Sequence, residues 1–137
     1  MNVLFYLKQI NNDYIFFNEP IKNSIIENGL FNRLIYSDLS MSLNGLYISF
    51  EENDREKMTQ KEIIDMLIEL EKTIIFKIDI NYKTCQYKIR DYLKHMNSRY
   101  GEDFKINKYI LKISGIWETQ QEYGITFKFL DKNKKGE

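Results

Sequence analysis

The chain of 137 residues, 43% apolar and 15% aromatic, fits one domain long enough to bury a core, and this composition excludes general disorder. Its single cysteine, Cys85, excludes an internal disulfide and points to a reducing compartment, and no run approaches the roughly 20 apolar residues needed to cross a bilayer. The formal net charge is zero, but residues 1–72 carry 7 Lys and Arg against 12 Asp and Glu, whereas residues 73–137 carry 13 against 8. The opening MNVLFYLKQINN has neither the basic leader nor the apolar length of a secretory signal, so the expected setting is soluble and intracellular. Alanine is absent, and valine and proline occur once each (Val3 and Pro20), the residue choice of an AT-rich genome.

In chain order, Val3 to Leu7 and Tyr14 to Phe17 read as strands flanking the turn-like Asn11, Asn12 and Asp13, a first hairpin. Ile21 to Asn28 reads as a short helix or an irregular crossing, stopped by Gly29. Leu34 to Tyr36 and Leu43 to Phe50 are the next strands, and Asn44-Gly45 inside the second marks a bulge rather than a hairpin tip. Thr59-Gln-Lys-Glu62 has the form of a capping box. Behind it Ile63, Met66, Leu67, Leu70 and Ile74 share one face, which predicts an amphipathic helix over about 60–72 with an acidic outer side. Ile74, Phe76, Ile78 and Ile80 alternate with Ile75, Lys77, Asp79 and Asn81, the period of a half-buried strand. A second helix is predicted from about Cys85 to Asn97, with Cys85, Ile89, Tyr92, Leu93 and Met96 as its apolar stripe and Gly101 near its stop. Tyr109, Leu111 and Ile113, then Ile125, Phe127 and Phe129, alternate as two strands joined by the polar loop Glu118 to Gly124. This order gives one α+β domain, residues 1–130: a mainly antiparallel sheet with two amphipathic helices packed on it, and a polar, frayed tail over 131–137.

Catalytic chemistry finds little to build on. The one histidine, His95, falls on the polar side of the second predicted helix with no nucleophile assigned to it, and Cys85 reads as a small buried hydrophobe. One cysteine and one histidine do not make a zinc site of the usual kind, and the six glycines form no phosphate loop. The acidic cluster Glu51, Glu52, Asp54 and Glu56 reads as a solvated loop, with a metal-dependent nuclease as its low-weight alternative. The reading is therefore non-enzymatic, with no cofactor and no metal.

Binding has more behind it. Residues 73–112 hold nine cations, Lys77, Lys83, Lys88, Arg90, Lys94, Arg99, Lys105, Lys108 and Lys112, against four acids, with tyrosines interleaved at 82, 87, 92, 100 and 109. Single-stranded nucleic acid is held by cations that follow phosphates and aromatic faces that stack on bases. Trp117, Tyr123 and Tyr47 are the candidate stackers, although aromatic residues at strand spacing also serve as core anchors. The competing reading is a protein–protein or structural component in which the same aromatics form a homodimer face.

Two stretches carry a resemblance. One runs from Glu19-Pro-Ile-Lys-Asn23 through Phe31-Asn-Arg-Leu-Ile-Tyr-Ser37 to Leu43-Asn-Gly-Leu-Tyr47; the other is Lys112-Ile-Ser-Gly-Ile-Trp-Glu118 with Tyr123-Gly-Ile-Thr-Phe-Lys128. Together they cover about a third of the chain and resemble small proteins of nucleocytoplasmic large DNA viruses, some of which look like phage-type single-stranded-DNA-binding proteins. That resemblance implies an OB-like barrel with the helices outside it, single-stranded DNA as partner, and a place in host cytoplasm, viral factory or virion. Phage-type binders end in an acidic tail; here Lys132, Lys134 and Lys135 make it mixed.

Overall fold

The structure, a computed structural model, describes residues 3–22, 29–51, 58–78, 80 and 82–133. Among them are nine strands, β1 (Leu4–Tyr6), β2 (Ile15–Phe17), β3 (Ile21–Lys22), β4 (Leu30–Ser37), β5 (Ser42–Asn44), β6 (Leu46–Ser49), β7 (Thr84–Gln86), β8 (Tyr109–Glu118) and β9 (Glu122–Asp131). Two helices, α1 (Gln60–Ile78) and α2 (Lys88–Tyr100), complete an α+β architecture. The central ribbon is the antiparallel pair β8–β9, closed by a tight turn in which Thr119 and Glu122 are bonded through their backbones at 2.8 Å. The Thr119 hydroxyl also accepts from the Glu122 amide at 3.0 Å. That turn is shorter than the expected loop because Glu122, Tyr123 and Gly124 are strand residues paired with Glu118 and Trp117 on β8 and with the parallel β7.

On the other side of β8 the sheet forks. The first half of β8 pairs with β6, which pairs in parallel with β1, and its second half pairs with the start of β4. At that crossing β3 pairs with Leu30 and Phe31 of β4 on the side away from β8, and beyond it β4 pairs with β2 on one side and β5 on the other. Gly45 makes the switch between β5 and β6. It has φ 82, and a Cβ there would sit 2.8 Å from the Ile113 carbonyl, so only glycine lets the two backbones approach. In place of the bulge expected at Asn44-Gly45, the chain divides there into two strands with different partners. The pairings leave the sheet open, so the antiparallel sheet carrying two helices is the architecture seen, without barrel closure.

Three local expectations are corrected. β1 and β2 are not a hairpin: two short 3-10 turns, Leu7–Gln9 and Asn12–Tyr14, carry the chain between them, and each strand pairs with a distant partner. The segment Ile74 to Ile78 is the end of α1 rather than a strand, because Ile74 and Ile75 extend the buried row of Ile63, Leu67 and Leu70 at helical spacing. Cys85 belongs to β7, paired with Tyr123, so α2 starts three residues later than expected. The expected helix or crossing at Ile21 to Asn28 begins as the strand β3, and its remainder lies outside the described residues. Asp131, the first residue of the expected tail, still pairs with Tyr109.

The helices are fixed by specific bonds. The Thr59 hydroxyl accepts the Glu62 amide at 3.2 Å and the Glu62 carboxylate accepts the Thr59 amide at 3.5 Å, the capping box read from sequence. Gln60 bridges to the segment before β8, donating to the Phe104 carbonyl and accepting from the Ile106 amide, both at 2.9 Å. Glu71 of α1, fully buried, accepts the amides of Ile89 and Arg90 at 2.8 and 2.9 Å and so caps α2 from a neighbouring helix. Burial pushes its carboxyl pKa up, against the two amide bonds that favour the anion. Both helices lie on one face of the sheet, where Leu67, Ile74, Ile89 and Leu93 close over Ile48, Leu111, Ile113, Ile116 and Ile125. Each such fully buried side chain contributes about 1.5–3 kcal/mol.

Candidate nucleic-acid interface

Strand alternation decides which side chains face the helices and which do not. Along β8, Leu111 and Ile113 are buried under the helices while Lys112 points away. A bulge at Ser114 then shifts the phase: Gly115 pairs with Thr126 and Trp117 with Gly124, so Ile116 and Glu118 take the buried side. Trp117 thereby joins Lys112 on the face that carries no helix among the described residues, the helix-free face. Pairing extends that face to Tyr47 opposite Lys112, Leu4 opposite Tyr47, Phe31 opposite Trp117, and Lys128 opposite Lys112 on the other side.

The helix-free face combines rings with cations. The Lys112 ammonium stands 5.7 Å from the Tyr47 ring centroid, and the Arg33 guanidinium 5.6 Å from that of Phe31. Tyr47, Phe31 and Trp117 are half-buried, with Arg33 and Lys128 exposed. Two glycines let the large rings lie flat on the backbone. A Cβ on Gly115 would come within 2.9 Å of the Phe31 ring, and one on Gly124 within 3.0 Å of the Trp117 indole. The carboxylates at the two ends of the face are engaged, Glu51 by Lys132 at 2.9 Å and Glu122 by Gln86 at 3.1 Å. Arg33, Lys112 and Lys128 supply the cations of this face, while Glu122, bonded by the neutral Gln86 amide, keeps its negative charge at one end.

The other cations named from sequence fall into separate groups. Lys88, Lys94 and Arg99 are exposed on α2, and Lys105 and Lys108 are exposed ahead of β8. Arg90 is half-buried, bonded to Asp91 at 3.2 Å and 5.0 Å from the Tyr87 ring. Lys77 is exposed at the end of α1 and donates to the Ile15 carbonyl at 3.4 Å. Two of the named residues are not available as contacts. Lys83 is half-buried, its ammonium held in an ion pair with the buried Glu118 at 3.0 Å, and that carboxylate also accepts from Asn32 at 2.6 Å. Tyr123 is 7% exposed, on the helix side of β9 beside Cys85, so its ring cannot stack on a base. Phe31, Arg33 and Lys128 were missed. The Phe-Asn-Arg and Phe-Lys-Phe alternations carried the signal, but their strand partners are far away in sequence.

Among the described residues no three His, Cys, Asp or Glu side chains come together as a metal site. Of the acidic cluster, Glu52, Asp54 and Glu56 lie outside the described residues. Burial pushes the Cys85 thiol pKa up, the opposite of an activated nucleophile. His95 is exposed on α2. Among the described residues, no helix is long and apolar enough to cross a membrane. In comparison with known proteins, no family model, curated protein or solved structure matches this chain.

Proposed function

We propose that this chain is a non-enzymatic protein that binds single-stranded nucleic acid, DNA in preference, on the helix-free face of its sheet. The observation that carries the reading is the convergence of Tyr47, Phe31 and Trp117 with Arg33, Lys112 and Lys128 on one uncovered surface. Half-buried rings offer aromatic surface to bases, and cations beside them reach phosphates on either side. An open sheet serves as well as a closed barrel, because the strand needs the face and not the closure. The likeness of the two stretches within residues 19–47 and 112–128 to small proteins of nucleocytoplasmic large DNA viruses, some of which look like single-strand binders, accords with this reading, and a viral origin belongs to this proposal.

A homodimer is the second reading. Leu4, Phe16 and Ile21 are 50, 53 and 56% exposed on the same face, and apolar patches of that kind also suit a partner chain. Fluorescence anisotropy of a labelled single-stranded oligonucleotide, at low and physiological salt with a duplex control, separates the two. The binding reading expects single-strand affinity that weakens with salt, with a log–log slope of about −2 for three phosphate contacts. No binding at low salt, with a dimer in sedimentation, would establish the second reading instead.

A further inference from the structure

β7 stops at Gln86, so β9 from Ile125 onward has an unpaired edge among the described residues, and there the helix-free face meets α2. The Trp117 indole reaches across Gly124 toward this edge. It lines a shallow depression of about 580 Å³ together with Lys88, Tyr92 and His95 of α2 and Thr126 and Phe127 of β9. That volume falls inside the roughly 300–1,000 Å³ of small-ligand sites. The floor is aromatic and the rim carries Lys88. Asp91 also lies on the rim, but its carboxylate is bonded to Arg90 at 3.2 Å.

We infer that this depression takes one unstacked nucleobase of a bound single strand, laid against the Trp117 indole, with Lys88 on the adjoining phosphate. The inference rests on the nucleic-acid reading and deepens it in two ways. It links the cations of the sheet face to α2, since a strand passing Lys112 and Trp117 continues onto Lys88. It also supplies the preference for single strands. A flat aromatic seat with a cation beside it suits a base that has left its stack, and a paired base in a duplex cannot enter.

Trp117 and His95 are each the only residue of their type, and both line the depression, so two native signals report on it without mutation. The experiment titrates the protein with a single-stranded oligonucleotide and with an abasic strand of the same length. It follows anisotropy, tryptophan emission and the imidazole ring-proton resonances together. The expected result is quenching of Trp117 and a shift of His95 with the same midpoint as the anisotropy. The abasic strand should bind more weakly and leave both probes still. Lys88→Glu should weaken the single-strand complex by roughly 3- to 10-fold, as loss of one phosphate contact. Anisotropy that rises while His95 stays unmoved, or equal responses to the abasic strand, overturns the base seat and leaves sheet-face binding intact. No anisotropy change with any strand overturns the nucleic-acid reading itself, and the base seat with it.

Discussion

On the helix side of the sheet, Tyr36 lies 5.0 Å from Phe5 and edge-on to Tyr14 at 6.0 Å, with its hydroxyl accepting the Asn11 amide at 3.0 Å. On the other side, Tyr47 lies under the Lys112 ammonium with part of its ring open to solvent. The same contrast separates Lys83, ion-paired with the buried Glu118, from Lys112, held over a ring. Residue type is therefore no guide to role in this chain. An aromatic or cationic side chain is structural where helices cover it and a candidate contact where nothing does. Substitutions on the two faces should accordingly separate stability from binding.

The largest stability effect belongs to the covered side. Lys83→Met removes the ion partner of the buried Glu118 carboxylate, leaving it the Asn32 amide alone, and should cost about 3–5 kcal/mol in urea unfolding. Adding Glu118→Gln should recover much of that loss, because the amide oxygen can still accept from Asn32. If Lys83 were a nucleic-acid contact, the single variant would instead lose affinity at unchanged stability.

Glu71→Ala should cost about 2–3 kcal/mol, since a buried and a part-buried amide at the start of α2 lose their acceptor. Its pH dependence has a definite sign. Burial raises the folded pKa above the ordinary 4.5, so between 4.5 and the folded value the native state holds a proton that the unfolded chain releases. This group's contribution to stability therefore falls as pH rises through that window. Glu71→Gln should remove that component of the slope, measured as urea midpoints across a pH series.

On the open side, Trp117→Ala should weaken single-strand binding by about 1–3 kcal/mol in anisotropy, the loss of one stacked base. Lys112→Ala is the smallest change. It should lower the salt slope by about 0.7 and leave thermal stability within about 0.5 kcal/mol of the parent. Equal effects of both substitutions on melting and none on binding would erase the distinction between the faces.

Parts of this layout are legible in the sequence because they are local. The Thr59–Glu62 cap, the start of α1, the stop at Gly101 and the switch at Gly45 all follow from a few adjacent residues. What is not legible depends on partners. Thr73 to Ile78 satisfies both an alternating and a helical pattern, and only burial of adjacent Ile74 and Ile75 under one layer chooses the helix. Trp117 is the sharper case. Unbroken alternation from Leu111 and Ile113 would put it in the core, and the bulge at Ser114 turns it outward. The basic run was visible as a count, but the loss of Lys83 to Glu118 requires contact between residues 35 apart in sequence. Phe31 and Arg33 gained their place only through the pairing of β4 with β8.

The central claim is that the helix-free face of the sheet receives a single strand. Methyl-resolved NMR of isoleucine and leucine tests it face by face. Ile35, Ile110 and Leu130 lie on the open side, and Ile48, Leu111 and Ile113 on the covered side. Titration with a single-stranded oligonucleotide should shift the first three and leave the second three near their free positions. Shifts confined to helix-facing methyls, or none at saturating oligonucleotide, would contradict the account.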